Sequence, residues 1–341
     1  MKLGVQLGYW GRDRPDGHAD IVAEAERLGF DSVWSAESYG SDAFTPLAWW
    51  GRETSTVRLG TGLVQLSART PVATAMAALT MDHLSRGRFV LGLGVSGPQV
   101  VEGWYGQSFA KPLARTREYI SIIRQVLARE SPVTSDGPHY PMPYPGGTGL
   151  GKPLKPIVHP LRADLPIFLG AEGPKNVALA AEIADGWFPM FLAPAHAEFY
   201  EKALEEGFAR PGARRTAADF EIPTFVPVLI GDDIEKAADA LRPSTALYIG
   251  GMGAREANFH FDVYCRMGFE SEATRIQEHY LAGNVADAIA AVPTKMVEAT
   301  ALIGPVDKIR DDLQVWRESF VTSILVQPDV NVMRTMADLL S

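Results

Sequence analysis

The sequence predicts an α/β protein in which all 341 residues form a single (β/α)8 TIM-barrel domain with insertions at its C-terminal face. Two observations carry that prediction. About eight apolar runs have the length of strands, and most are followed by a segment whose apolar residues recur at helical spacing. Several of these runs stop in glycine and other small residues, which leaves bare backbone where a ligand can approach.

The elements follow in order. The first strand is Leu3–Leu7; MKLGVQLGYW lacks the apolar core of a signal peptide and reads directly as a strand. Gly17–Leu28 carries Ile21, Val22, Ala25 and Leu28 on one helical face before Gly29 stops it and Phe30 leads into the strand Ser32–Ala36. The third strand is Val57–Leu63, and Pro71 opens the helix Val72–Leu84. The fourth is Arg88–Gly94, with Pro112 ahead of the helix Leu113–Arg129. Leu165–Gly170 follows, and Pro174 opens Lys175–Ala184. Gly186–Met190, Glu221–Ile230 and Phe320–Gln327 complete the set, the last after a helix Val306–Ser319 opened by Pro305. A doubly wound open sheet would have fewer strands and a phosphate loop after the first, where this chain has Gly8-Tyr9-Trp10-Gly11. Two stretches break the alternation: about 131–164, crowded with proline and glycine, and about 251–303, largely helical. Both are read as following strands and hence as lying over the barrel mouth.

With 46% hydrophobic and 21% charged residues the chain has the composition of a globular protein. Its net charge of -9 and the lack of any Lys/Arg block argue against nucleic acid as a partner. No apolar run approaches the roughly 20 residues of a membrane span, so the expected location is the cytoplasm. The single Cys265 has no CxxC or histidine-rich neighbourhood and reads as an inert thiol, and the seven histidines show no HxH or HExxH spacing, so no metal site is expected.

In a barrel of this type the site lies at the strand C-termini. Those ends hold Tyr9 and Trp10, then Glu37, Ser38 and Tyr39, then Gly62 and Leu63, then Val95, Ser96 and Gly97, then Gly170 to Gly173, and finally Phe188, Met190 and Gln327. The set is rich in glycine and aromatics and poor in nucleophiles, as suits a bed for a planar cofactor. Ala171 to Asn176 offers backbone N–H groups at a helix start, an anion site or else a plain tight turn. Lys175, with Lys152, Lys155 and Arg162, is expected to add positive charge there. Glu37 is the candidate for proton handling or ring contact, the alternative being hydrogen bonds to neighbouring backbone. Glu102, Trp104, Tyr105 and His139 are candidates for the substrate side, or for structural roles.

The segments LGTGLVQLSARTP (Leu59–Pro71), DHLSRGRFVLGLGVSGP (Asp82–Pro98) and PIFLGAEGPKNVALAAEIADGW (Pro166–Trp187) make the chain resemble the bacterial luciferase-like superfamily, in particular its branch using the deazaflavin coenzyme F420. The resemblance implies the cofactor at the strand ends, F420 or alternatively FMN. Gly170, Ala171, Glu172 and Gly173, with Pro174 and Lys175, would then meet the phosphate, and Val95, Ser96 and Gly97 would line the ring or side chain. It also implies a non-proline cis bond at Gly62–Leu63. The implied activity is hydride transfer between the deazaflavin C5 and a small organic substrate, with Glu37 and Ser38 at the catalytic position. The alternatives are an FMN-dependent monooxygenase and a non-catalytic F420-binding protein. Many deazaflavin relatives carry an Asp-His pair where this chain has Glu37-Ser38-Tyr39, and the place of a catalytic Glu is taken by Gly97, with Glu102 the nearest carboxylate. A sugar-phosphate dehydrogenase is therefore not expected. A homodimer packing through the Ala73–Ala78 surface is.

Overall fold

Parallel strands wound into a barrel position everything that follows. The computed structural model describes residues 1–12, 15–253, 255 and 258–341. Strand β1 (Lys2–Gly8) is followed by helix α1 (His18–Arg27), β2 (Ser32–Ser35) by α2 (Phe44–Trp50), and β3 (Arg58–Thr61) by a two-residue continuation, β4 (Val64–Gln65), and α3 (Pro71–Leu84). Then come β5 (Phe89–Gly94), the short α4 (Pro98–Gly103) and α5 (Pro112–Ala128). After them stand β6 (Ile167–Gly170), α6 (Pro174–Ile183), β7 (Gly186–Phe188), α7 (Glu198–Phe208), β8 (Pro223–Phe225) and β9 (Val228–Ile230). A helical segment follows: α8 (Ile234–Gly250), α9 (Phe259–Arg266), α10 (Glu270–Leu281), α11 (Val285–Ala290) and α12 (Thr294–Glu298). The chain ends with β10 (Leu302–Gly304), α13 (Val306–Arg317), β11 (Ser323–Val326) and α14 (Val330–Leu340).

The sheet runs β7-β6-β5-β3-β2-β1-β11-β8, with β4 beside β5. A parallel bridge between Gly186 and Glu221 joins the two ends and closes the barrel. The helices start where the sequence supplies caps. Thr70 accepts the Ala73 N–H ahead of Pro71, and Asp233, Asn258 and Asp329 cap α8, α9 and α14 in the same way. Most of the core lies between sheet and helices, where Tyr119, Ile122, Ile123 and Leu127 of α5 are buried among the strands' outer side chains. Inside the barrel a separate cluster of Trp34, Val90, Phe168, Phe188 and Leu325 plugs the lumen. Trp34 fits because residue 60 is glycine: a Cβ there would stand 2.3 Å from its ring.

The two expected insertions take different places. The segment at about 131–164 follows α5, not a strand, so it starts on the face opposite the strand C-termini. It is tied there by Arg129 to the Pro156 carbonyl, by Arg162 to the buried Asp82 and by the His83 ring to the His159 carbonyl. The expectation that it covers the barrel mouth is corrected. The second insertion does stand on the C-terminal side, but it begins earlier than 251. The apolar run Glu221–Ile230 is two strands: β8 belongs to the barrel, while β9 pairs with β10 in a separate two-stranded sheet, and α8 packs with α9 to α12 in a core of its own. Residues 254, 256 and 257 of that insertion lie outside the described residues.

Candidate cofactor and substrate site

A cavity of about 1480 Å³ opens at the C-terminal ends of the barrel strands, between them and the helical insertion. Every residue expected from the sequence to touch a cofactor lines it: Gly62, Leu63, Val95, Ser96, Gly97 and Gly170 to Lys175; so do Glu37 and Ser38.

Its floor is built around the break between β3 and β4. The Gly62–Leu63 bond is cis, as expected. Three hydrogen bonds hold the bend: the Gly62 N–H donates to the Ser35 carbonyl at 2.7 Å, Gln6 Nε2 donates to the Gly62 carbonyl at 3.0 Å, and the Glu37 N–H donates to the Leu63 carbonyl at 3.0 Å. The Leu63 side chain lies across three glycines. A Cβ at Gly92, Gly94 or Gly170 would come within 2.9, 3.1 and 2.2 Å of its carbons. The glycine-rich strand ends thus first of all provide a seat for Leu63. The amide oxygen of Gln6 is buried and finds no hydrogen-bond partner among the described residues.

Glu37 differs from the expected proton handler. Its side chain is only 4% exposed, and Arg69 Nη1 stands 2.7 Å from Oε1 and 3.0 Å from Oε2. Oε2 also accepts the Gln65 N–H at 2.9 Å. Of the two readings open in the sequence, the carboxylate takes the second: it braces the strand end to β4. Ser96 adopts the left-handed region with φ 59°, and Gly97 is the N-cap of α4.

The loop after β6 starts helix α6, with Gly173 as N-cap and Pro174 at the first position. The Asn176 and Val177 N–H groups bond to the Gly173 carbonyl. Gly173 has φ −82°, and a Cβ on it would meet nothing within 4 Å, so nothing in the fold requires glycine there. Open space beside a helix N-terminus is what an anion would use. Lys175 stands at this opening. Lys155 and Arg162 do not: Lys155 donates to the Glu130 carbonyl, and Arg162 binds Asp82 and the Phe89 carbonyl at the far end of β5. Lys152 belongs to the same segment and does not line the cavity. His139 is held by Glu118 outside the barrel, and Glu102 accepts the Phe109 N–H, whereas Trp104 does reach the cavity.

The opposite wall was not foreseen in the sequence. Phe191, Tyr248 and His260 stand edge to face, with His260 4.9 Å from Tyr248 and 5.7 Å from Phe191 between ring centres. The Tyr248 and Tyr9 hydroxyls are 3.3 Å apart, which ties the insertion to the loop after β1. His260 Nδ1 is 3.0 Å from Glu172 Oε1, and Arg266 Nη2 donates to the Glu172 carbonyl at 3.0 Å. Helix α9 thus grips the loop after β6 from outside. The one available signal was the Asn-Phe-His start of a capped helix, and it does not say which way the helix faces. On the same helix, burial pushes the Cys265 thiol up to about 11, with Glu270 and Asp262 adding to the shift, so it is protonated at neutral pH.

Comparison with known proteins places the chain in a family. The family model described as luciferase-like monooxygenase matches residues 2–323. A Mycobacterium tuberculosis protein with the provisional name coenzyme F420-dependent oxidoreductase is 60% identical over 328 residues, 96% of this chain and 94% of the relative. A 5,10-methylenetetrahydromethanopterin reductase from Archaeoglobus fulgidus is 33% identical over 231 residues, 67% of this chain and 65% of that protein. Among solved structures, the coenzyme F420-dependent tetrahydromethanopterin reductase from Methanopyrus kandleri superposes with a TM-score of 0.78 at 24% identity, covering 98% of this chain and 97% of that one.

Proposed function

Because the chain belongs to the luciferase-like monooxygenase family, we propose that it is an F420-dependent oxidoreductase acting on a small organic substrate. The 60% likeness along nearly the whole length of a relative bearing that name carries the reading. The residues fit the coenzyme: Gly173 leaves an open approach to the start of α6 for a phosphate, and Leu63 presents a fixed apolar surface for a planar ring. When bound, F420 supplies a C5 that exchanges a hydride with the substrate.

The chain's own residues do the positioning. Backbone N–H groups of Glu172, Gly173 and Lys175 orient the phosphate. Gln6, Ser35 and Glu37 fix the bend that carries Leu63, while Val95, Ser96 and Gly97 border the ring. Glu37, spent on Arg69 and Gln65, acts through that bend, and Ser38 beside it faces the reacting centre. The helical insertion excludes water. The proposal includes a homodimer in the cytoplasm. Of the expected Ala73–Ala78 surface, Ala75 and Ala78 are buried in the core, and Met76 and Leu84 on α3 with Trp49 on α2 are the exposed apolar side chains suited to such contact; no helix among the described residues is long and apolar enough to cross a membrane. Light scattering at twice 37.1 kDa is the expected result.

Paired fluorescence titrations with F420 and FMN test the cofactor. F420 is expected to bind and FMN to bind far more weakly. A preference for FMN would replace this reading with a flavin monooxygenase, and F420 binding without turnover over a broad panel would leave a carrier.

A further inference from the structure

We infer that the half of the cavity walled by the helical insertion takes an uncharged, largely apolar molecule with one oxygen-bearing end, held at the Tyr9–Tyr248 hydroxyl pair and His260. The inference rests on the proposed cofactor reading only for what fills the other half.

Charge in the cavity is scarce, and none of it lies on the insertion's apolar wall. Among the described lining residues only Glu37, Glu172 and Lys175 carry a full charge. Glu37 is paired with Arg69, Glu172 faces His260, and Lys175 stands at the exposed start of α6. The insertion's wall is formed by Leu241, Met252, Phe259, Val297 and Ala301, and on it the Ser244 and Thr245 hydroxyls are turned back to the Leu241 carbonyl. A carboxylate or phosphate brought against this wall would give up its water and find no counter-ion, a penalty far larger than any packing gain. An alkyl chain would lose nothing there.

On the insertion's side of the cavity, polar groups gather where Tyr248 and His260 meet Tyr9. Tyr9 and Tyr248 come from opposite sides of the cavity and share one hydrogen bond, which leaves the pair a proton to donate. Burial, with Tyr9 beside it, raises the Tyr248 hydroxyl above the ordinary tyrosine range, so it keeps its proton at neutral pH. His260 packs edge-on against Tyr248 with Nδ1 toward Glu172. A carbonyl or hydroxyl oxygen set among these groups finds donors, and its hydrocarbon portion lies on the apolar wall. That polarity pattern excludes sugar phosphates and oxo acids and selects ketones, enones or alcohols of moderate length.

Calorimetry on the purified protein, free and loaded with F420, tests the inference with 2-octanone against 7-oxooctanoate, the same chain ending in a carboxylate. The ketone is expected to bind at least about 100-fold tighter. Across the series from 2-butanone to 2-octanone, affinity should rise roughly fourfold per methylene. Tyr248→Phe should weaken the ketone roughly tenfold and leave F420 affinity unchanged. Met252→Lys should narrow the gap between ketone and oxo acid by supplying a cation. Equal binding of the two probes overturns the inference, as does absence of ketone binding in protein that binds F420. If F420 itself does not bind, the cofactor reading falls, and the contrast between ketone and oxo acid on the free protein still decides the chamber's chemistry.

Discussion

Two glycines three residues apart make opposite predictions. At Gly170 the fold itself demands the missing side chain, because a Cβ would stand 2.2 Å from Leu63 Cδ1. Gly170→Ala should therefore cost about 1–3 kcal/mol in denaturant unfolding, with Leu63 displaced. At Gly173 the surroundings are empty. Gly173→Asp supplies a better N-cap and a negative charge where the phosphate would lie, so unfolding should shift by no more than a few tenths of a kcal/mol while F420 affinity falls at least about tenfold. Loss of stability without loss of affinity would remove the phosphate from this turn. A third residue governs acid behaviour. Burial alone would raise the Glu26 carboxyl, but the N–H groups of Val57, Ser55 and Thr56 and the Ser55 hydroxyl outweigh it and hold the group at about 2. Its folded-state value is depressed, so its contribution is present above about 4.5 and is lost as the pH falls toward 2. Glu26→Gln should cost about 1–2 kcal/mol at pH 7 and almost nothing near pH 2, read as urea midpoints at both pH values.

At the scale of elements, the part of the 131–164 segment from Ser135 to Tyr140 is held to the barrel's flank by one carboxylate. Glu118 on α5 accepts the N–H groups of His139 and Tyr140 and the Ser135 hydroxyl. Glu118→Ala should expose this stretch to limited proteolysis while F420 affinity is retained, because none of its residues lines the cavity. Lost cofactor binding would mean that the segment supports the mouth after all. The strands and their glycine ends were legible in the sequence because each is a short apolar run with a physical stop, and the cis bend at Gly62–Leu63 followed from the family resemblance. The position of this segment was misread because the face on which a connection lies depends on whether it leaves a helix or a strand, and α5 intervenes before it. Partners distant in sequence were also invisible: Arg69 lies 32 residues from Glu37, and α9 meets the loop after β6 across 94 residues from Arg266 to Glu172. Periodicity reports a helix's buried face but not its neighbour.

For the molecule as a whole, in a chain of net charge -9 the proposed site would hold an anionic coenzyme by short-range donors at one helix start, not by a long-range field. The barrel's closure has a further consequence. Strands β7 and β8 meet through a single bridge, supported by the Trp187 N–H to the Glu221 carbonyl at 2.9 Å and the Glu221 N–H to the Asp185 carbonyl at 3.1 Å. Other joints, such as β1 with β2 and with β11, carry four register pairs each. A ring of staves parts first at its thinnest joint, and here Phe188 and Phe225, on the two sides of that joint, both face the cavity. Whatever fills the cavity spans the gap like a hoop. Amide hydrogen exchange at Trp187 and Glu221 should therefore be the fastest within the barrel wall of the empty protein and should slow when F420 binds, although neither amide touches the ligand.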